Sequence, residues 1–192
     1  MSTPPGEYYT EERWNNWLDR LREEDIDPED EDSARLLLNL QDDTAIAVAK
    51  IVTDHQEGEL GEEAALEQLA TIREVVLADV EFEDEEKLML VDGVQTSLVC
   101  VFYAAEEYVA GGPAEGDVEE FVHAAADAVA QEDLDAALAH CAKAGTLLFE
   151  DGDLDMEVAE DIDYGLVAEW VNGLDSLGTA LADPEVIDED DG

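Results

Sequence analysis

The chain has 192 residues, with 54 Asp and Glu against 8 Lys and Arg, and a formal net charge of −46. So few cations cannot neutralise many phosphates, which excludes electrostatic binding to nucleic acid or to an anionic membrane surface. Disorder caused by low hydrophobicity is excluded as well, because 46% of the residues are hydrophobic, close to the globular norm.

The acidic residues are spread along the whole chain instead of being concentrated in a tail. Self-repulsion at this charge strains a compact domain in dilute buffer, whereas in about 1 M salt the Debye length is about 3 Å and the repulsion is screened. The composition therefore predicts a protein of an extreme halophile, specifically a haloarchaeon, whose cytoplasm holds molar salt. The two cysteines, Cys100 and Cys141, lie in apolar helical patterns and are expected to be free thiols.

The apolar spacing is helical almost throughout and predicts an all-α fold. We expect one helical domain over residues 1–183 and a disordered acidic C-terminal tail over 184–192. The helices should form antiparallel hairpins around a central apolar helix over 84–109. About seven helices are predicted, with the bounds 11–24, 28–55, 62–80, 84–109, 117–131, 134–149 and 155–182.

The central helix carries apolar residues at the i, i+3, i+4, i+7 positions that one buried face requires. Its most apolar run, 88–109, is interrupted by Asp92, Glu106 and Glu107, and we therefore expect no membrane span. No secretory segment follows Met1, so the predicted location is the cytoplasm.

Each motif that resembles a catalytic or metal site is incomplete. His140 and Cys141 point to different helix faces, which does not suit zinc, and Glu120 with His123 forms only half of a di-iron site. Asp151–Asp155 opens like a calcium loop but lacks the required glycine and glutamate. No nucleophile elbow or phosphate-binding loop is present. The sequence predicts no cofactor and favours a protein that is not an enzyme.

Arg73 interrupts the apolar stripe of the third helix, where a buried cation needs a carboxylate partner. The predicted partner is Asp92, the acid inside the apolar part of the central helix. Two interpretations stay open: a buried ion pair that fixes helix register, or a carboxylate/Arg73 site for an anionic ligand.

The first helix combines tryptophan and arginine, the residue types most often found as binding hot spots. Trp14, Trp17, Arg13 and Arg20 are the candidate partner-binding residues. The same Trp pair could instead dock the helix onto the core.

Three segments resemble those of a known family: YYTEERWNNWLDRL (8–21), NLQDDTAIAVAK (39–50) and EEKLMLVDGVQTSLVCVFYAAEEYV (85–109). Together they resemble an archaeal, mainly haloarchaeal, family of all-helical proteins of unknown function, with 92–96 as the most specific part. The resemblance implies a cytoplasmic protein and brings no catalytic or binding residue with it.

The leading hypothesis is a non-enzymatic protein–protein interaction or adaptor module whose partner is another protein. The alternative from a different class is a small helical enzyme or ligand-binding protein that uses carboxylates with Arg73. An exposed apolar groove would favour the first, and a closed pocket around Arg73 would favour the second. The sequence does not determine the oligomeric state.

Overall fold

The computed structural model describes residues 11–24, 27, 29–150 and 165–182, and this part of the chain is all-α. The fold class is confirmed: a single helical domain with no strand among the described residues. Its helices are α1 (Glu11–Glu23), α2 (Glu31–Gln56), α3 (Glu62–Val76), α4 (Glu85–Gly111), α5 (Val118–Ala130), α6 (Leu134–Leu148) and α7 (Leu166–Ala182).

Helix α4 is the central element, as its apolar pattern predicts, and it packs against α2, α3, α6 and α7. It begins after Asp84, whose carboxylate accepts a hydrogen bond from the Glu86 amide at 2.9 Å. It ends before Gly112, where a φ of 80° suits glycine. By length and composition alone α4 could cross a membrane, contrary to the sequence argument. Half of its most apolar 18-residue window is buried in the protein, and a core helix that is mostly buried passes the same test.

Two helix ends differ from the prediction. The N-cap of α2 is Asp30, which accepts from the Asp32 amide at 3.2 Å, whereas Asp27 accepts from the Glu29 amide in a preceding turn. Helix α3 ends at Val76 and not near residue 80. The start of the predicted seventh helix, 155–164, and the predicted tail, 184–192, lie outside the described residues.

Helices α4, α6 and α7 pack closely because Gly145 of α6 and Gly173 of α7 lie at their contacts. A Cβ on Gly173 would overlap the Ser97 carbonyl and lie 3.3 Å from Val101 Cγ2. A Cβ on Gly145 would lie 2.8 Å from Leu174 Cδ2 and would also crowd Ala104. The backbones of α7 and α4 therefore touch at a separation that a side chain at 173 does not allow.

Helix α1 is docked on the core by its tryptophans. Trp14 is buried, and the half-buried Trp17 donates its indole N–H to Asp43 Oδ2 at 2.9 Å. Arg13 binds the same carboxylate with Nε at 2.8 Å and also through Nη2. Lys87 of α4 donates to the Glu24 carbonyl at 2.7 Å and so holds the C-terminal end of α1.

We expect Asp43→Ala to destabilise the protein by about 1–3 kcal/mol, because it removes a nearly buried acceptor shared by Arg13 and Trp17. Urea unfolding followed by tryptophan fluorescence measures the change. The control is Asp19→Ala, which removes an exposed i,i+3 partner of Arg22 and should cost at most about 0.5 kcal/mol. Equal effects of the two substitutions would contradict the proposed docking contact.

Candidate functional site

A surface groove of about 470 Å³ lies between the α3–α4 connection and the first half of α4. One wall is the connection, residues 77–80, which contributes two large apolar side chains and one acid. The other wall is α4, which contributes Leu88, Met89, Asp92, Gln95, Thr96 and Val99. We call this feature the α3–α4 groove.

The side chain of Gln95 attaches the α3–α4 connection to α4 and so fixes the shape of the groove. Its amide donates to the Val76 carbonyl at 2.8 Å and to the Ala78 carbonyl at 3.0 Å. These carbonyls lie at and just beyond the end of α3 and have no partner within the helix, so the amide satisfies them and fixes the connection against α4. The groove is therefore formed in the free protein.

The groove continues into a stripe along the exposed side of α4, formed by Met89, Asp92, Thr96, Val99 and Tyr103. Steps of three and four residues place these positions on one helix face. Met89 is 74% exposed and Tyr103 is 41% exposed. Of the five large hydrophobic side chains that are exposed in the described part of the chain, three belong to α4: Leu88, Met89 and Tyr103.

Apart from Asp92, this stripe lacks acids where the rest of the surface is crowded with them. Residues 93–105 contain no charged side chain, although 32% of the chain is charged. Burial explains most of that segment but not Thr96, Val99 and Tyr103, which retain contact with solvent. An exposed apolar patch bordered by charge is typical of a contact surface.

Arg73 lies beyond one end of the groove and binds Glu106, so the prediction that it pairs with Asp92 is wrong. Its Nη1 lies 2.5 Å from Glu106 Oε1, and its guanidinium lies over the Tyr103 ring at 5.9 Å from the centroid. The two charged side chains are 33% and 21% exposed, so the pair is half-buried. Asp92 is exposed and lies on the solvent side of α4.

The predicted partner-binding cluster on α1 makes contacts within the protein. Trp14, Trp17 and Arg13 dock α1, as described above. Arg20 is exposed, lies over the Trp17 ring at 5.6 Å and is 3.9 Å from Glu24. Little of the tryptophan surface is therefore left for another molecule, and the α3–α4 groove takes its place as the candidate site.

Two other acidic features of the surface were not predicted. Carboxylate oxygens of Asp54, Glu57 and Glu59 lie within 4.8 Å of one another at the end of α2. A second, smaller depression lies along the acidic face of α5 beside His123, whose Nε2 is 3.7 Å from Glu119. Acidic groups cluster readily in a chain of this charge, and we assign neither feature a function.

The two cysteines are buried and in contact. Burial raises the pKa of the Cys100 thiol well above its ordinary value, and the neighbouring Cys141 raises it further. A buried thiol with a raised pKa is a poor nucleophile.

Among the residues that the structure describes, three carboxyl groups have raised pKa values. Burial raises the pKa of Glu169, and the charge of Asp92 raises it further. Burial also raises the pKa of Asp42 and of Glu107, which Ser176 and Lys143 respectively counteract. In each case the folded protein holds the proton more tightly than the unfolded chain does.

We therefore expect the protein to become more stable as the pH falls from neutral toward about 5. A carboxyl group with a raised folded pKa destabilises the fold when ionised, and this penalty disappears as the pH falls through that pKa. Urea midpoints measured against pH in molar KCl test this, and Glu169→Gln should reduce the slope. Stability that falls over the same range would contradict the assigned directions.

Comparison with known proteins identifies the family to which the chain belongs. A family model described as "Uncharacterized protein conserved in archaea (DUF2150)" matches residues 7–190, which confirms the resemblance drawn from the sequence. The α3–α4 groove lies inside the matched range. No curated protein and no solved structure matches the chain.

Proposed function

The chain belongs to DUF2150, a family of uncharacterized proteins conserved in archaea, and we propose that it is a non-enzymatic protein–protein interaction module in the cytoplasm of an extreme halophile. The observation that carries the proposal is the α3–α4 groove with its continuation along α4. Its exposed apolar side chains lie on the central and most firmly packed helix, in a chain whose surface is otherwise acidic.

The shape of the site supports a macromolecular partner. The stripe from Met89 to Tyr103 extends about 21 Å at 1.5 Å per residue, or four helical turns. A long, shallow surface that alternates apolar and polar side chains suits an amphipathic helix that lays one face into it. The rigid attachment of the connection through Gln95 means that little ordering is needed before binding.

The alternative, a carboxylate/Arg73 site for a small ligand, has less support. The Arg73 guanidinium is already engaged by Glu106 and lies over Tyr103. Arg73 does not line the α3–α4 groove, and the groove is open where a catalytic site would exclude water.

Co-purification from an archaeal extract in molar KCl tests the proposal with the full chain as bait. We expect Met89→Glu to reduce recovery of a specific partner by about tenfold or more, because it places a charge on the apolar contact surface. Circular dichroism should find the variant folded, since Met89 is exposed.

The matched control is Leu38→Glu. Leu38 is 51% exposed and lies on α2, outside the groove. Equal partner recovery by the wild type, the Met89 variant and the Leu38 variant would contradict the proposal.

A further inference from the structure

The carboxylates of Asp92 and Glu169 lie near each other where α7 packs against α4 beside the stripe. Glu169 Oε1 approaches the α4 backbone, 3.8 Å from the place where a Cβ on Gly93 would be. The neighbouring residue, Asp92, lines the α3–α4 groove. Burial raises the pKa of Glu169, and the nearby negative charge of Asp92 raises it further.

The described part of the chain gives neither carboxylate a cationic partner. The cations of α3 and α4 bind elsewhere: Arg73 binds Glu106, and Lys87 donates to the carbonyls of Arg22 and Glu24. Two adjacent carboxylates, one of them half-buried, repel each other and are stabilised by an external cation. The site therefore offers a place for a positive charge directly beside an apolar surface.

We propose that the α3–α4 groove binds a helical segment of another protein that carries a Lys or Arg beside an apolar anchor. The apolar side chain packs against Val80, Met89 and Val99, and the cation lies between Asp92 and Glu169. This inference rests on the proposed function and adds the chemistry of the partner. A helix supplies both groups from one face when they are three or four residues apart.

Charge selects this occupant over the others. A second copy of the chain adds a further −46 and has only 8 cations, several of them already bound at its own helix contacts. An anionic membrane surface is repelled. A hydrated potassium ion relieves the carboxylates but leaves the apolar stripe uncovered.

The test pans random peptides of about 16 residues, roughly four helical turns, against the immobilised full chain. Panning in about 1 M KCl, where the Debye length is about 3 Å, suppresses long-range attraction to the acidic surface. We expect the enriched peptides to pair a Lys or Arg with an apolar residue three or four positions away. Their affinity should fall about tenfold in Asp92→Asn/Glu169→Gln and in Met89→Glu, and should be unchanged in Leu38→Glu.

The variants separate the two claims. The double substitution relieves repulsion, so it should fold at least as stably as the wild type, and a loss of binding then reports on the cation. A different outcome is that apolar peptides without Lys or Arg bind the wild type and the double variant equally and fail to bind Met89→Glu. That result would overturn the proposed cation site but would still support the groove as a docking surface. Peptides that bind Met89→Glu normally would overturn both. If the chain sediments as a dimer and Met89→Glu dissociates that dimer, the occupant of the groove is a second copy of the chain. That result would overturn the proposal of a basic partner.

Discussion

Gly173→Ala is expected to destabilise the folded protein by about 3 kcal/mol, the largest effect of any single methyl group that we predict. The added Cβ would overlap the Ser97 carbonyl oxygen and lie 2.8 Å from its carbonyl carbon. These are backbone atoms in the middle of α4, so no side chain can rotate away to make room. Relief requires α7 to separate from α4, which opens the core around Leu174 and Leu177.

Gly178→Ala is the matched control, because it changes another glycine of α7. Nothing lies within 4 Å of a Cβ at 178. Alanine there should be neutral or stabilising by up to about 1 kcal/mol, since glycine is the poorer helix former. Urea unfolding of both variants in molar KCl measures the difference, and a Gly173 variant as stable as the Gly178 variant would contradict the close approach of α4 and α7.

The second large effect is that of salt. We expect the thermal midpoint to fall steadily when KCl is lowered below about 0.5 M, where the Debye length exceeds about 4 Å. The net charge of −46 then repels itself across the whole surface. Residues 145–192 contain no Lys or Arg, so α7 depends most on screening.

Circular dichroism melts across a KCl series test this prediction. If screening carries the effect, tetramethylammonium chloride should restore the midpoint as well as KCl does, because both are monovalent salts. A midpoint that does not change with salt would contradict the halophile interpretation. Restoration by KCl alone would instead indicate specific potassium binding.

The fold was predictable because its signals are local. The apolar period of α4 and the carboxylate of Asp84 at its start determine a helix that the structure places at Glu85–Gly111. Helix contacts with no local signal were not predictable. The shared acceptor Asp43, for example, lies 30 residues from Arg13 and 26 from Trp17.

The error over Arg73 has a physical reason. The sequence predicts that α3 continues to about residue 80, but it ends at Val76, whose carbonyl accepts a hydrogen bond from the Gln95 side chain. Residues 77–84 then run back along α4 without helical structure. With α3 antiparallel to α4, this shift moves Arg73 toward the C-terminal half of α4, where Glu106 and Tyr103 lie.

The sequence also carries a signal of the groove, although the same pattern predicts a buried helix. Residues 93–105 are uncharged, and a helix with solvent on one side should carry charge at the exposed positions. The uncharged, partly exposed Thr96 and Val99 and the exposed Tyr103 identify the stripe once the buried face is known. The cation site at Asp92 and Glu169 has no such signal, because 77 residues separate its two carboxylates.

Oxidative footprinting of Met89 tests most directly whether the exposed face of α4 is the interaction surface. The full chain is treated with hydroxyl radicals twice, once free and once with a saturating concentration of its co-purified partner. Mass spectrometry then measures the oxidation of each residue. We predict that oxidation of Met89, which is 74% exposed in the free chain, falls several-fold in the complex, whereas oxidation of Leu38 does not change. Unchanged oxidation of Met89, together with protection of Trp17 and Arg20 on α1, would contradict the account.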